Sequence, residues 1–175
     1  MNWSSSSQVI LITGTPGVGK SSIGFLLNKK GFQVLNLNKL IIDNGFYFGY
    51  DFSRDTVIID EEKLQLYLRD LLVSNSTIIF IEGHTLNSIP EEFLELIFII
   101  NCNPAILRKR LELSRDYSKE KTEENIQAEI FDECKISIKE TFPSIPVIEL
   151  DSSFLSAEEL VEKILSILHD KKNMF

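Results

Sequence analysis

The sequence has few of the features that mark disulfide-rich, zinc-binding or membrane proteins. Its two cysteines, Cys102 and Cys134, have no CxxC spacing and no neighbouring histidine, so neither a disulfide framework nor a zinc site is predicted. No apolar run approaches the roughly 18 residues that a membrane-spanning helix needs, and residues 1–8 lack the basic region of a signal peptide. We therefore expect a cytoplasmic protein that does not associate with membranes.

Glycine and proline are also scarce, with 8 and 5 residues in a chain of 175, which excludes a collagen-like or linker-like protein. The apolar fraction of 43% and the charged fraction of 25% are ordinary for a folded domain. This length suits one compact unit. The prediction is a single domain over residues 1–175, and we expect it to be a monomer.

Positive charge is sparse, and the net charge of −8 is unevenly distributed. Residues 1–60 hold five Lys or Arg and four Asp or Glu, whereas residues 61–175 hold thirteen and twenty-two. Most of the acidic excess lies between Asp116 and Glu162. Nucleic-acid affinity depends largely on basic side chains that neutralise phosphates, so strong direct binding of nucleic acid is not expected.

Apolar runs alternate with helical patterns along the chain, which favours a parallel α/β sheet with helices on both faces. Helices are predicted over 20–30 and 103–113, after caps at Asp60 and Ser156, and on a longer segment where Ile126, Ile130, Cys134 and Ile138 repeat every four residues. Buried strands are predicted at residues 8–13, 33–37, 77–81, 96–100 and 146–150.

The strongest motif is GTPGVGKS at residues 14–21, which fits GxxxxGK followed by Ser or Thr. It lies between a predicted strand and a predicted helix, as a P-loop requires, and so identifies a three-layer P-loop NTPase fold. The glycines let backbone N–H groups surround phosphate oxygens, Lys20 adds a mobile charge, and Ser21 offers a hydroxyl to Mg²⁺. The residues predicted to bind ATP here are Gly14, Thr15, Pro16, Gly17, Val18, Gly19, Lys20, Ser21 and Ser22.

A second chemical element follows the strand at 77–81, where Glu82-Gly83-His84 lies at the carboxyl edge of the predicted sheet. We interpret Glu82 as the Walker-B equivalent, which would hold Mg²⁺ through water or orient an attacking oxygen. His84 is a further catalytic candidate, although a structural imidazole explains it as well.

Two polar stretches, 38–55 and 114–124, are longer than minimal connections and are typical of flaps over a site. Arg110 and Arg115 are candidates for neutralising a transferring phosphoryl group. The alternative is exposed arginines paired with Glu112 or Asp116. The aromatic residues of the first stretch could stack on a base or form a small apolar core.

A regulatory GTPase is not favoured, because Asn38-Lys39 is not followed by the aspartate of NKxD. Several segments resemble the atypical nuclear adenylate kinase family, also called coilin-interacting nuclear ATPases, and its archaeal relatives. The similar segments are ITGTPGVGKSS, GYD at 49–51, IIDEEKL at 58–64, IEGH at 81–84 and DYSKEKTEENIQAEIF at 116–131.

This resemblance implies a nucleoside-monophosphate kinase with an NMP-binding flap at residues 36–59 and a short lid at 114–124. It implies phosphoryl transfer between ATP and AMP or a similar acceptor, with slow ATPase activity. It makes Arg115 the lid arginine and an ATP contact. It also implies a role in maturation of the small ribosomal subunit, a basic platform protein of that subunit as partner, and a nuclear location in a eukaryote.

The sequence departs from the family at Arg115-Asp116-Tyr117, where the lid usually reads RGY, and at Asn38-Lys39-Leu40, where the family has a GDL-like segment. The second change replaces an acid with a base near the expected acceptor, so acceptor preference is open. Two other functions stay open as well. One is an ATP-switched assembly factor that releases a basic ribosomal protein, and the other is a metabolite kinase of similar fold.

Overall fold

A computed structural model describes residues 8–52, 56–114 and 117–173. Its main sheet has five parallel strands in the order β2-β5-β1-β6-β7. The strands are β1 (Gln8–Thr13), β2 (Gln33–Asn36), β5 (Ile78–Glu82), β6 (Leu94–Asn101) and β7 (Val147–Asp151). The predicted parallel five-stranded sheet is confirmed, with each strand displaced by at most two residues at an end.

Seven α-helices precede or follow these strands within the described residues. They are α1 (Lys20–Lys29), α2 (Leu37–Asn44), α3 (Glu61–Val73), α4 (Pro104–Ser114), α5 (Lys119–Ile130), α6 (Glu133–Thr141) and α7 (Ala157–Asn173). Two short 3₁₀ turns, Leu86–Ser88 and Glu91–Phe93, precede β6. Among these described helices, none is long and apolar enough to cross a bilayer.

Alternate residues of the central strands point to opposite faces of the sheet, and each face has its own apolar core. On one face, residues such as Leu11 and Ile81 pack with apolar side chains of α2, α3 and α6. On the other, residues such as Ile12 and Phe80 pack with α1, α4, α5 and α7. Helices therefore cover both faces, which makes the three-layer architecture that the alternation predicts.

The prediction of one long helix through Ile126 and Ile138 is wrong, because the helix ends after Ile130 and a second helix begins at Glu133. Asp132 adopts a left-handed conformation with φ 53°, which ends one helix and starts the next. Ile130 is 55% exposed, whereas Ile126 and Ile138 are buried. The four-residue spacing of apolar residues therefore continues in the sequence across a bend between two helices. Ile130, one residue of that spacing, faces solvent.

The first polar stretch contains regular structure. After α2, the strands β3 (Tyr47–Asp51) and β4 (Thr56–Ile59) form an antiparallel pair. Phe46 is buried against the core, but Phe48 and Phe52 are 76% and 89% exposed. The stretch therefore contributes one aromatic side chain to the core and presents others to solvent. The second stretch contains the first turn of α5, which Ser118 caps by accepting from the Lys121 N–H.

Candidate active site

One cleft opens at the carboxyl edge of the main sheet, where parallel strands present their ends to ligands. Its volume is about 240 Å³. Residues from the β1–α1 loop, the start of α2, the end of β5 and the segment before α5 line it together. They are Pro16, Gly17, Gly19, Lys20, Ser21, Ser22, Asn36, Asn38, Glu82, Gly83, His84 and Tyr117.

Two glycines give the β1–α1 loop the shape of a phosphate cradle, because each has a positive φ that other residues rarely adopt. Gly14 has φ 140°, and a Cβ there would overlap the carbonyl oxygen of Ile100. Gly17 has φ 95°, and a Cβ there would lie 2.6 Å from Leu111 Cδ2. The loop backbone therefore packs directly on β6 and α4 while its other side faces the cleft.

The backbone of this loop holds the Lys20 side chain over it. Its Nζ donates to the carbonyl oxygen of Gly14 at 2.6 Å and to that of Thr15 at 3.0 Å. It is also the first residue of α1, whose N-cap Gly19 has no side chain to bond the first N–H groups of the helix. The positive end of α1 and an ammonium group therefore converge on the same space, which suits an anion such as a polyphosphate.

Glu82 lies across the cleft as the last residue of β5 and is only 6% exposed. Asn36 Nδ2 donates a hydrogen bond to its Oε1, whereas its buried Oε2 has no hydrogen-bond partner among the described residues. A buried carboxylate oxygen without a partner is costly unless a cation or donor binds it. Glu82 and Ser21, which line the same cleft, form an oxygen donor set that fits Mg²⁺.

His84 is a partly exposed residue at the edge of the same cleft. The crowding of protein atoms around the ring and the nearby Lys20 ammonium lower the pKa of His84 below its ordinary value of 6.5. This shift favours the neutral ring, which can donate or accept a hydrogen bond. An anion bound between Lys20 and His84 would offset the repulsion and raise this pKa.

Arg110 lies outside the cleft-lining set and behind the phosphate-binding loop. Its guanidinium donates to Ser152 Oγ at 3.0 Å, to the Ser152 carbonyl at 2.6 Å and weakly to the Val18 carbonyl at 3.5 Å. This position differs from that expected of a residue on the transferring phosphoryl group, because the guanidinium ties α4 to the β7–α7 connection. Arg108 donates to the carboxylate of Glu123 on α5 through its two terminal guanidinium nitrogens. Arg115 lies outside the described residues.

The structure therefore brings together most of the predicted loop residues with Glu82 and His84. Gly14, Thr15 and Val18 shape the loop without lining the cleft. Asn36 is a cleft residue that the sequence analysis did not single out, and Asn38 appeared there only in the segment that departs from the family. Their signal in the sequence is an asparagine at the carboxyl end of a predicted strand, followed two residues later by another.

The chain matches the family described as "AAA domain" over residues 10–132. It is 33% identical over 172 residues to a "Putative adenylate kinase" of Methanococcus maripaludis, which covers 95% of this chain and 91% of the relative. It is 35% identical over 161 residues to the "Adenylate kinase isoenzyme 6 homolog FAP7" of Saccharomyces cerevisiae, which covers 91% and 79%.

Solved structures share the fold at low identity. Shikimate kinase from Bacteroides thetaiotaomicron superposes with a TM-score of 0.59 at 15% identity, covering 93% of this chain and 98% of that one. Thymidylate kinase from Candida albicans superposes with a TM-score of 0.61 at 14% identity, covering 97% and 94%. The chain belongs to the AAA-domain family of P-loop proteins, among the adenylate kinase isoenzyme 6 homologues and their archaeal relatives.

Proposed function

We propose that this protein is a nucleoside-monophosphate kinase that transfers the γ-phosphoryl group of ATP to AMP or a related monophosphate. The observation that carries the proposal is that one cleft is shared by the phosphate-binding loop, a buried carboxylate and the first turn of α2. A donor nucleotide on the loop and an acceptor beside α2 would meet next to Glu82. The names of the relatives from Methanococcus maripaludis and Saccharomyces cerevisiae agree with this chemistry.

The residues of the cleft account for the transfer without a covalent enzyme intermediate. Loop N–H groups and Lys20 bind the β- and γ-phosphates and stabilise charge on the transferring group. Ser21 and Glu82 would hold Mg²⁺, and a bound Mg²⁺ would neutralise negative charge on the phosphate oxygens. The flap at 36–59 and the lid at 114–124 orient the acceptor and exclude water. Because water is excluded, the nucleophile is an oxygen of the acceptor and not of a water molecule. Arg115 supplies a further positive charge from the lid.

An acceptor panel tests the proposal. ADP formation from ATP and Mg²⁺ is measured with AMP, dAMP, CMP and GMP, and without any acceptor. We expect turnover to rise at least tenfold above the acceptor-free ATPase rate with AMP or dAMP. Turnover that is the same with every monophosphate as with none would contradict a kinase function and leave only hydrolysis.

A second candidate function is an ATP-switched assembly factor that binds a basic protein of the small ribosomal subunit. Exposed carboxylates on α5 and α7 favour it, because they form acidic surfaces that would attract a basic partner. They include Glu120, Glu123, Glu124, Glu158, Glu159 and Glu162. A pull-down of basic small-subunit proteins with and without ATP tests it, and equal recovery of unrelated basic proteins would refute it.

A further inference from the structure

Asn36 makes two hydrogen bonds with different parts of the site. Its Oδ1 accepts from the Lys39 N–H at 2.8 Å and so caps α2, the first helix of the flap at 36–59. Its Nδ2 donates to Glu82 Oε1. These two partners determine the orientation of the Asn36 amide. In the flipped amide, Nδ2 would face the Lys39 N–H, which is also a donor, and Oδ1 would face the Glu82 carboxylate, which is also an acceptor.

The topology of the sheet creates this contact. Asn36 is the last residue of β2 and Glu82 the last residue of β5, and the two are register partners in neighbouring parallel strands. Among the residues that cap helices well, asparagine alone carries both a carbonyl oxygen and an NH₂ group. Aspartate would cap α2 equally well but would set a second negative charge against Glu82.

The other oxygen of Glu82 lies beside α1 at Gly24. A Cβ on Gly24 would lie 3.1 Å from both Cδ and Oε2 of Glu82, closer than an ordinary van der Waals contact. The carboxylate is therefore held between an amide donor on one side and the backbone of a helix on the other. Its Oε2 is left without a hydrogen-bond partner among the described residues.

We propose that Asn36 is a positioning residue that fixes Glu82 in the orientation needed to hold Mg²⁺ and joins this carboxylate to the flap helix α2. The proposal rests on the assignment of Mg²⁺ to Ser21 and Glu82 in the proposed function. Residues that hydrogen-bond a metal ligand typically change metal affinity or activity by about tenfold to a hundredfold when they are replaced. We expect Asn36 to act at the low end of that range, because α1 beside Gly24 still leaves the carboxylate little space on its other side.

The test compares Asn36→Ser with Asp60→Ser. Both changes replace a good helix cap with serine, since Asp60 caps α3 by accepting from the Lys63 N–H at 3.0 Å and lies outside the cleft-lining residues. The serine hydroxyl at position 36 ends one atom short of the position of Nδ2. Asn36→Ser therefore changes a helix cap and loses the hydrogen bond to Glu82, whereas Asp60→Ser changes a helix cap only.

Mg²⁺ is titrated calorimetrically into each protein bound to a non-hydrolysable ATP analogue, with protein in excess so that no free nucleotide competes. We expect Asn36→Ser to weaken Mg²⁺ binding about tenfold, with Asp60→Ser within twofold of the unaltered protein. Affinity for the analogue without Mg²⁺ should stay within twofold in both variants, because the phosphate-binding loop is untouched.

Mg²⁺ affinity within twofold of the unaltered protein in Asn36→Ser would overturn the proposal, and so would an equal loss in Asp60→Ser. If Asn36→Ser does not fold, Asn36→Thr replaces it, because threonine also caps helices and suits the end of a strand. No acceptor enters this titration. A failure of the kinase assignment would therefore appear in the acceptor panel, while the Mg²⁺ titration would still decide the role of Asn36.

Discussion

Gly24→Ala should reduce phosphoryl transfer without unfolding the protein. Gly24 lies in the second turn of α1, and a Cβ there would come within 3.1 Å of Glu82 Cδ and Oε2, where ordinary contacts begin near 3.4 Å. The carboxylate must therefore move by a few tenths of an ångström, away from the geometry that Asn36 and α1 now define. Small displacements of catalytic groups are costly, since a 1 Å misplacement can lower a rate by roughly a hundredfold.

We expect kcat to fall about tenfold, which corresponds to about 1.4 kcal/mol of transition-state stabilisation. Stability should change little, because alanine favours a helix over glycine by roughly 0.5–1 kcal/mol and this gain offsets the crowding at Glu82. The assay is ADP formation with ATP and AMP, together with a urea unfolding curve on the same preparation.

Asn28→Ala is the matched control, because Asn28 is an exposed residue of α1 whose replacement raises helix propensity without touching Glu82. It should leave kcat within twofold of the unaltered protein. A Gly24→Ala protein with unchanged kcat would refute the reasoning. Equal losses of kcat in both variants would refute it as well, since the cause would then lie in α1 and not in the carboxylate.

Three further predictions address other parts of the structure. Lys20→Ala should lower transfer at least about a hundredfold while the circular dichroism spectrum is retained, because Lys20 Nζ lies over the loop, where it bonds the carbonyls of Gly14 and Thr15, and the apolar core is untouched. Near-normal turnover would contradict its role. Burial of the ring and the Lys20 ammonium lower the pKa of His84, so its NMR titration should lie below the ordinary value of 6.5. The folded state should therefore lose stability as the pH falls below about 6.5, because the unfolded chain takes up the proton first. Lys20→Ala should raise the pKa of His84, and an unchanged pKa would exclude the contribution of Lys20. Asp132→Val should lower the free energy of unfolding by about 1–2 kcal/mol, because valine is strained in the left-handed conformation of this position. Asp132→Gly should stay within about 1 kcal/mol, because glycine adopts that conformation without strain. Equal effects of the two changes in urea unfolding would argue against strain at this bend.

The phosphate-binding loop and the five core strands were predictable because their signals are local. A strand such as Gln8–Thr13 is a continuous apolar run, and the loop that follows it has a fixed spacing of glycines before Lys20. The capping box of α7 is equally local, and Ser156 and Glu159 exchange both of its hydrogen bonds in the structure. Each of these features involves residues within about one turn or one strand of each other.

The features that the sequence analysis missed depend on which elements become neighbours. Asn36 reaches Glu82 because β2 pairs with β5 in a particular register, and 45 intervening residues carry no local sign of that pairing. The bend at Asp132 was missed for the opposite reason. A strong local spacing of apolar residues continued through it, and only tertiary packing leaves Ile130 exposed.

The most direct test of the kinase assignment follows the γ-phosphoryl group itself. ATP labelled at the γ-phosphate is mixed with unlabelled AMP, Mg²⁺ and the protein, and the products are separated. We expect most of the label to appear in ADP as its β-phosphate, and we expect Lys20→Ala to abolish this product. Label that appears only as inorganic phosphate, at a rate unaffected by AMP, would contradict phosphoryl transfer as the function of this cleft.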